Sequence, residues 1–296
     1  MKTTPAILAL LSAFALSAQA ATTIDATSSF AYGANIGWLN WRGDVTNGAV
    51  IGEYVCSGSI WSANCGWISL GSGAPVGGVQ YDNASATNFG VNLTGHYINA
   101  GEPRAQLRGY AYGANIGWIN FESQGNPEVS LSTGELSGFA YSANCGWIDL
   151  HSTTAFVETD TIQPGADTDG DGIADAYEYI YTTPDSLAVL TASGDADGDG
   201  ESDVEEYRAN TNPRDPASAL RITNFTTNGS TTFGLTWTSN AARRYRIETK
   251  TNLLAATWTL TLDNIQPAGA TTTRAGASAA SSLRFFHVQA FLPLAP

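Results

Sequence analysis

The sequence predicts a mainly β protein in three parts: a duplicated antiparallel β-hairpin repeat domain, an acidic loop-helix spacer and a small C-terminal β-sandwich. Three observations support this class. Aromatic residues make up 10% of the chain and charged residues only 14%, a balance that favours strands over helices. A motif containing Trp recurs four times in the N-terminal half, which indicates repeated structure. The net charge of -14 equals that of one internal segment, and the charges of all residues outside it sum to zero.

Residues 1–20 predict a Sec signal peptide. Lys2 precedes an apolar run, and the segment closes with Ala18-Gln19-Ala20. The run is too short to span a bilayer, and the small residues predict cleavage after Ala20. We therefore expect a secreted or cell-surface protein without a transmembrane segment.

The repeat domain is predicted for residues 24–153. Its motif combines an aromatic residue with Ala-Asn-x-Gly-Trp, and the copies begin at Ala31, Ile60, Ala111 and Ala140. The interval between the first and second copies equals that between the third and fourth. The domain is therefore predicted to be a duplication of a unit that was itself doubled. Each copy predicts a β-hairpin, because Asn and Gly tolerate the positive φ angles of tight turns.

Each copy places one Trp directly after its turn. A small repeat must bury its largest apolar side chains to be stable, so we expect these four residues to belong to the core. The alternative is an exposed platform on which sugar rings stack. Trp41 and Trp61 lie outside the repeated position and are expected to be exposed. The four repeated residues are Trp38, Trp67, Trp118 and Trp147.

The chain has three cysteines, an odd number for an exported protein. A disulfide between Cys56 and Cys65 would cross-link one hairpin, whereas one between Cys65 and Cys145 would join the two halves of the repeat domain. Of these two pairings we expect the first, with Cys145 free or in an intermolecular bond.

The charge of the chain is concentrated between Glu158 and Asp215. This segment holds 16 acidic residues against two arginines, which accounts for the whole net charge of -14. An acidic cluster in an otherwise neutral chain indicates bound cations, and it argues against nucleic acid as a partner.

Two twelve-residue stretches of the spacer, residues 160–216, have the ligand pattern of a calcium loop. Acidic residues stand at positions one, three, five, nine and twelve, and Gly172 and Gly200 permit the sharp turn at position six. A backbone carbonyl at position seven completes the set. We therefore expect two Ca2+ sites rather than Mg2+ sites, because Mg2+ tolerates few carboxylates. The predicted ligands are Asp167, Asp169, Asp171, Ile173, Asp175 and Glu178 in the first loop and Asp195, Asp197, Asp199, Glu201, Asp203 and Glu206 in the second.

Pro164 and Gly165 precede the first loop and exclude an entering helix, whereas the residues after each loop can form an exiting one. A repeated loop that is followed, but not preceded, by a helix resembles thrombospondin type 3 repeats and, more distantly, dockerins and EF-hands. The resemblance implies a calcium-binding spacer between the domains of an exported bacterial protein. Dockerins usually close the loop with Asp, so Glu178 and Glu206 argue against a dockerin role and a cohesin partner.

The other two parts carry looser resemblances. Residues 24–153 resemble the aromatic Asn-x-Gly-Trp-Ile repeats of uncharacterised exported bacterial proteins, which implies no activity. Residues 219–296 alternate apolar and polar side chains between Ser, Gly and Asn turns, which predicts a small sandwich. This part resembles the fibronectin-like domains that follow such spacers in secreted proteins.

The sequence contains no HExxH, Gly-x-Ser-x-Gly or Gly-rich phosphate motif, so we expect no enzyme. The expected function is that of a secreted calcium-binding surface or matrix protein. Its spacer would hold two β domains that make structural or adhesive contacts with an unknown protein or glycan. A carbohydrate-binding protein is the alternative, and an extracellular polysaccharide hydrolase is less favoured. The ligand, the oligomeric state and retention at the cell surface are left open.

Overall fold

Strands predominate in the structure, and the predicted mainly β class is confirmed. The described residues contain 20 strands and two short helices. No helix among them is long and apolar enough to cross a membrane. The predicted signal peptide lies outside the described residues. The computed structural model describes residues 21–73, 75, 79–122, 124–183, 186–229, 231–277 and 283–295.

The N-terminal part is a closed antiparallel barrel with additional strands around it. Its strands are β1 (Ile24–Gly33), β2 (Gly37–Asn40), β3 (Val50–Ile51), β4 (Cys56–Ser57), β5 (Ser59–Ser62), β6 (Gly66–Ser69), β7 (Val91–Asn99), β8 (Glu102–Gly113), β9 (Gly117–Asn120), β10 (Glu128–Ser130), β11 (Leu136–Ser137), β12 (Phe139–Ser142), β13 (Gly146–Asp149) and β14 (Val157–Thr159). Each copy of the motif forms a hairpin, and the four hairpins are β1–β2, β5–β6, β8–β9 and β12–β13. Pairing between neighbouring hairpins, with β13 returning to β1, closes the ring.

Alternation along each hairpin sends small and branched side chains into the barrel. In the first hairpin Ala31 pairs with Leu39 and both are 1% exposed, whereas the next residue, Tyr32, is 40% exposed. An eight-stranded barrel has an interior just wide enough for such side chains to fill. The inward pairs are Ala31 with Leu39, Ile60 with Ile68, Ala111 with Ile119 and Ala140 with Ile148.

A ring of side-chain hydrogen bonds closes the turn end of the barrel. The Asn of each Asn-x-Gly turn donates from Nδ2 to the carbonyl of the middle residue in the neighbouring turn. The glycine of each turn leaves room for this amide. A Cβ on Gly37, for example, would lie only 3.3 Å from the Asn64 amide nitrogen. The φ of Gly37, +75°, also favours glycine. The bonds run from Asn64 to Ile36, Asn115 to Cys65, Asn144 to Ile116 and Asn35 to Cys145, at 2.9, 3.0, 2.9 and 3.1 Å.

Strand β8 extends beyond the barrel into the surrounding strands. It pairs with β6 and β9 inside the barrel and with β7 and β10 outside it. Strand β14 pairs with β1, and β3 pairs with β4. Trp41, which follows β2, is 1% exposed and packs against Phe121, with ring centroids 6.2 Å apart. The barrel and the strands around it therefore share one apolar core.

The spacer contains two helices, α1 (Asp175–Tyr181) and α2 (Asp203–Ala209), each directly after an acidic loop. A small core of Ile173, Tyr177, Leu190 and Val204 lies between them. The ring of Tyr177 contacts those of Tyr181 and Tyr207, at centroid distances of 4.8 and 5.2 Å. The spacer is thus a packed unit.

The C-terminal part consists of two three-stranded antiparallel sheets. Its strands are β15 (Ile222–Asn228), β16 (Thr232–Thr238), β17 (Arg244–Lys250), β18 (Thr259–Ile265), β19 (Thr271–Ala277) and β20 (Phe285–Phe291). One sheet has the order β15-β16-β19 and the other β18-β17-β20. Trp237 of the first sheet and Tyr245 of the second are buried with ring centroids 5.8 Å apart, so the two sheets share a core.

Candidate metal centre and exposed aromatic face

The first acidic loop, residues 167–178, brings three carboxylates together. Asp167, Asp169 and Asp171 each offer an oxygen within 4.8 Å of the others. Asp167 accepts hydrogen bonds from the backbone N–H groups of Gly170 and Gly172, at 2.7 and 3.0 Å. Both glycines have positive φ angles, +78° and +91°, which folds the loop around the first aspartate.

The second acidic loop, residues 195–206, repeats this geometry. The oxygens of Asp195, Asp197 and Asp199 also lie within 4.8 Å of one another. Asp195 accepts from the N–H groups of Gly198 and Gly200, at 2.8 and 3.1 Å. The two loops share their acidic residues and their two glycines, and they fold into the same arrangement of carboxylates although most of their other residues differ.

The last residue of each loop is a buried glutamate with unpaired oxygens. Glu178 is 0% exposed and Glu206 is 1% exposed. Neither carboxylate oxygen of Glu178 has a hydrogen-bond partner among the described residues. The Oε2 of Glu206 also lacks one among them. Burial, assisted by repulsion from the aspartates of the same loop, raises the pKa of both groups to about 8. A buried carboxylate without a partner is costly, and a cation between the acids would remove that cost.

Two of the aspartates also present a buried, unpaired oxygen. The Oδ2 atoms of Asp171 and Asp197 lack hydrogen-bond partners among the described residues. The other oxygen of Asp171 accepts from the N–H of Ile173 at 2.9 Å, and burial raises the pKa of this carboxyl. In the second loop one oxygen of Asp199 accepts from the N–H of Glu201 at 2.7 Å, and its Oδ2 forms an ion pair with Arg221 at 2.8 Å. These bonds hold Ile173 and Glu201, at loop position seven, against the third aspartate of each loop.

The predicted ligands at positions nine and twelve, Asp175 and Asp203 as well as Glu178 and Glu206, lie outside the two clusters of three carboxylates. Asp175 accepts from the backbone N–H and the hydroxyl of Thr168, at 2.7 and 2.5 Å. Asp203 accepts from the backbone N–H groups of Thr191 and Ala196, at 2.9 and 3.0 Å. Both aspartates therefore hold the loop backbone against the start of a helix.

Comparison with known proteins assigns no family to this geometry. No family model, no characterised protein and no solved structure matches the chain. The interpretation of the loops therefore rests on their own residues.

A buried ion pair joins all three parts of the chain beside the second loop. Arg243, from the C-terminal part, donates from Nη2 to Glu53 of the N-terminal part at 2.8 Å, and their side chains are 2% and 5% exposed. Tyr207 of α2 donates its hydroxyl to the other oxygen of Glu53 at 2.9 Å. Arg243 also donates to the carbonyls of Tyr207 and Arg208, at 2.9 and 2.8 Å. Because Tyr207 directly follows Glu206, the closing end of the loop is tied to both β domains.

The prediction that the four repeated tryptophans form the core is wrong. Their side chains are 43% to 48% exposed on the outer face of the barrel. The reason is the alternation of the strands, since the residue after each Trp occupies the narrow interior. Trp61 is exposed, as predicted, but Trp41 is buried, so that prediction is wrong as well. The four exposed residues are Trp38, Trp67, Trp118 and Trp147.

Each exposed Trp packs against an aromatic residue on the opposite strand of its hairpin. All four pairs have ring centroids 4.9 Å apart and interplanar angles of 58° to 60°. Strand register places one polar residue next to each pair, for example Asp149 beside Tyr32. The barrel therefore carries four similar rows of aromatic and polar side chains. The pairs are Tyr32 with Trp38, Trp61 with Trp67, Tyr112 with Trp118 and Tyr141 with Trp147.

The predicted disulfide between Cys56 and Cys65 is not formed. All three cysteines are free and buried. Cys65 is the middle residue of a barrel turn, whereas Cys56 lies in β4 and pairs with Ile51 of β3. Burial raises the pKa of the Cys56 thiol to about 12.

Proposed function

We propose that the chain is a secreted calcium-binding modular protein of the cell surface or extracellular matrix, with one Ca2+ in each acidic loop. The observation that carries this proposal is the pair of buried glutamates, Glu178 and Glu206, which have unpaired oxygens and whose pKa is raised by burial and by repulsion from the aspartates of their own loops. Charge clusters on a solvated linker would not bury their closing acid. A cation in each loop supplies the missing partner.

Calcium suits this set of ligands better than other common cations. Every side-chain ligand is a carboxylate oxygen, which selects a hard cation, and Ca2+ accepts more carboxylates and less regular geometry than Mg2+ does. We assign Asp175 and Asp203 to holding the loop backbone, because they lie outside the carboxylate clusters and both oxygens of each already accept hydrogen bonds. The proposed ligands are Asp167, Asp169, Asp171, the Ile173 carbonyl and Glu178 in one loop, and Asp195, Asp197, Asp199, the Glu201 carbonyl and Glu206 in the other.

In this proposal calcium orders the spacer and thereby fixes how the two β parts are held. The contacts of Arg243 with Glu53 and α2 support it, since they connect the second loop to both parts. The resemblance to thrombospondin type 3 repeats is consistent with such a spacer. We further propose that the barrel arose by duplication, that the C-terminal part is a fibronectin-like sandwich, and that residues 1–20 direct export. The β parts would then make structural or adhesive contacts.

The proposal is tested by calorimetric titration of the chain from residue 21 onwards with CaCl2 at pH 8. We expect two ions, with Kd of about 0.1 to 1 mM, the range of extracellular calcium modules. Asp169→Asn and Asp197→Asn should each remove one ion, whereas Asp263→Asn, at a half-exposed position outside both loops, should leave two. MgCl2 should bind more weakly. Absence of calcium binding at millimolar concentration, or two ions retained in both loop variants, would refute the proposal.

A further inference from the structure

Part of the connection between β6 and β7, residues 83–89, contributes to a pocket on the outer face of the barrel. Residues 83–86 of this connection face Phe89, Tyr110 and Trp118 across an open cavity of about 440 Å3. Sites for small ligands have cavities of this size. Neither acidic loop contributes a residue to the pocket, so its ligand is a separate question from calcium.

Three aromatic rings form one wall of the pocket. Phe89 stands edge-on to Trp118, with ring centroids 4.9 Å apart and an interplanar angle of 85°. Tyr110 lies 6.2 Å from Trp118 at 78°. Phe89 is 9% exposed and Trp118 is 43% exposed. Packing therefore holds Trp118 in place while nearly half of its surface is available to a ligand. Because the side chain is already ordered, it loses little entropy when a ligand binds.

The first hairpin provides an internal comparison. Phe30 and Trp38 have the same mutual geometry as Tyr110 and Trp118, with centroids 6.3 Å apart at 82°. The N–H of Phe30 donates to the Phe156 carbonyl, as that of Tyr110 donates to the Gly90 carbonyl. By this register Ala155 takes the place of Phe89. Trp38 is therefore an equally exposed Trp in a matching strand environment, but it lacks the third ring of the wall.

The lining of the pocket selects the chemistry of its ligand. None of the lining residues is charged, so the site offers no group to neutralise a phosphate, a carboxylate or a cation. Aromatic faces pack against the C–H faces of sugar rings, and hydroxyls of Ser85 and Tyr110 can hydrogen-bond to sugar hydroxyls. A fully apolar ligand would offer these groups no hydrogen bond in exchange for the water that it displaces. The lining residues are Asn83, Ala84, Ser85, Ala86, Phe89, Tyr110 and Trp118.

We propose that this pocket binds a neutral saccharide of one or two rings. Its volume, uncharged lining and combination of fixed aromatic rings with hydroxyl groups together support that class of ligand. Binding occurs on the barrel alone, so it does not depend on calcium.

The test is titration of the chain from residue 21 onwards with cellobiose, maltose, xylobiose and N,N′-diacetylchitobiose, followed by Trp fluorescence and calorimetry. We expect at least one disaccharide to bind with Kd of about 0.1 to 1 mM, both in calcium and in EDTA. Trp118→Ala should weaken that binding by about tenfold or more. Ala86→Arg, which leaves all three rings in place and inserts a long charged side chain, should have the same effect. Trp38→Ala, the matched control, should leave the affinity within about twofold.

Three results would overturn the proposal. The first is that none of the four sugars binds below about 20 mM. The second is an equal loss of affinity in Trp38→Ala and Trp118→Ala, which would assign binding to the general aromatic surface. The third is that Ala86→Arg binds sugar normally. Loss of calcium binding with sugar binding retained would contradict only the proposed calcium function.

Discussion

Replacing Glu178 by Gln is expected to change the stability of the spacer in opposite directions with and without calcium. At pH 8.5 this carboxyl is mostly ionised, because even its raised pKa of about 8 lies below that pH. It is nevertheless fully buried, and its oxygens lack partners among the described residues. In EDTA the uncharged amide should therefore stabilise the spacer by about 1 kcal/mol or more, because an unpaired buried charge costs more than the unpaired neutral group that replaces it. In calcium the variant loses a ligand, and with it the stabilisation from binding, about 1.4 kcal/mol at tenfold excess over Kd.

Hydrogen exchange of the α1 amides, residues 175–181, measures both effects as a local free energy of opening. Glu206→Gln should give the same pattern for α2, and Asp263→Asn, the control outside both loops, should change neither helix. If Glu178→Gln destabilises α1 in EDTA as much as in calcium, the carboxylate is not the uncompensated group that this reasoning requires.

Three further predictions concern the junction, the aromatic residues and pH. Arg243→Met should cost about 3 to 5 kcal/mol in thermal unfolding, because it leaves the charge of the buried Glu53 without a cation, whereas Arg246→Met, at a more exposed position, should cost less than about 1 kcal/mol. Trp41→Ala should cost about 3 to 5 kcal/mol in urea denaturation, and Trp38→Ala, whose ring is 48% exposed, clearly less; equal losses would contradict the assignment of faces. In EDTA the spacer should be most stable below about pH 4.5 and lose stability as the pH rises through about 8, because the raised pKa of both closing glutamates means that the fold favours their protonated form. Calcium affinity should rise over the same pH window, because the ligands must lose their protons. Hydrogen exchange at pH 6 and 8.5 checks the stability of the spacer, and calcium titrations at the same pH values check the affinity. A stability or an affinity that does not change with pH would contradict the corresponding prediction.

The acidic loops could be predicted in detail because their geometry is local. Asp167, Asp169 and Asp171 alternate within five residues, and Gly172 supplies the positive φ that turns the chain, so sequence spacing alone brings the oxygens together. The burial of Glu178 could not be predicted in the same way. It depends on contacts between α1, α2 and Leu190, which is distant in sequence from the first loop.

The hairpins were predictable from their motif, but the closed barrel was not. Alternation shows which residues share a face of a strand and does not show which face becomes the interior. Closure leaves room for Ala31 and Leu39 but not for Trp38, which reverses the expected assignment. A second role of Asn64 was missed for a related reason. The sequence predicted Asn64 only as a turn residue. In the structure its amide also bonds to the neighbouring turn, a contact that exists only once the ring is closed.

The central claim is that each acidic loop holds one calcium ion closed by a buried glutamate. Anomalous diffraction from crystals of the chain grown in CaCl2 tests it most directly. The account predicts two calcium peaks, one at each loop, with the Glu178 and Glu206 carboxylates among ligands at about 2.3 to 2.6 Å. A structure with neither peak, or with calcium bound while both glutamates remain unliganded and buried, would contradict it.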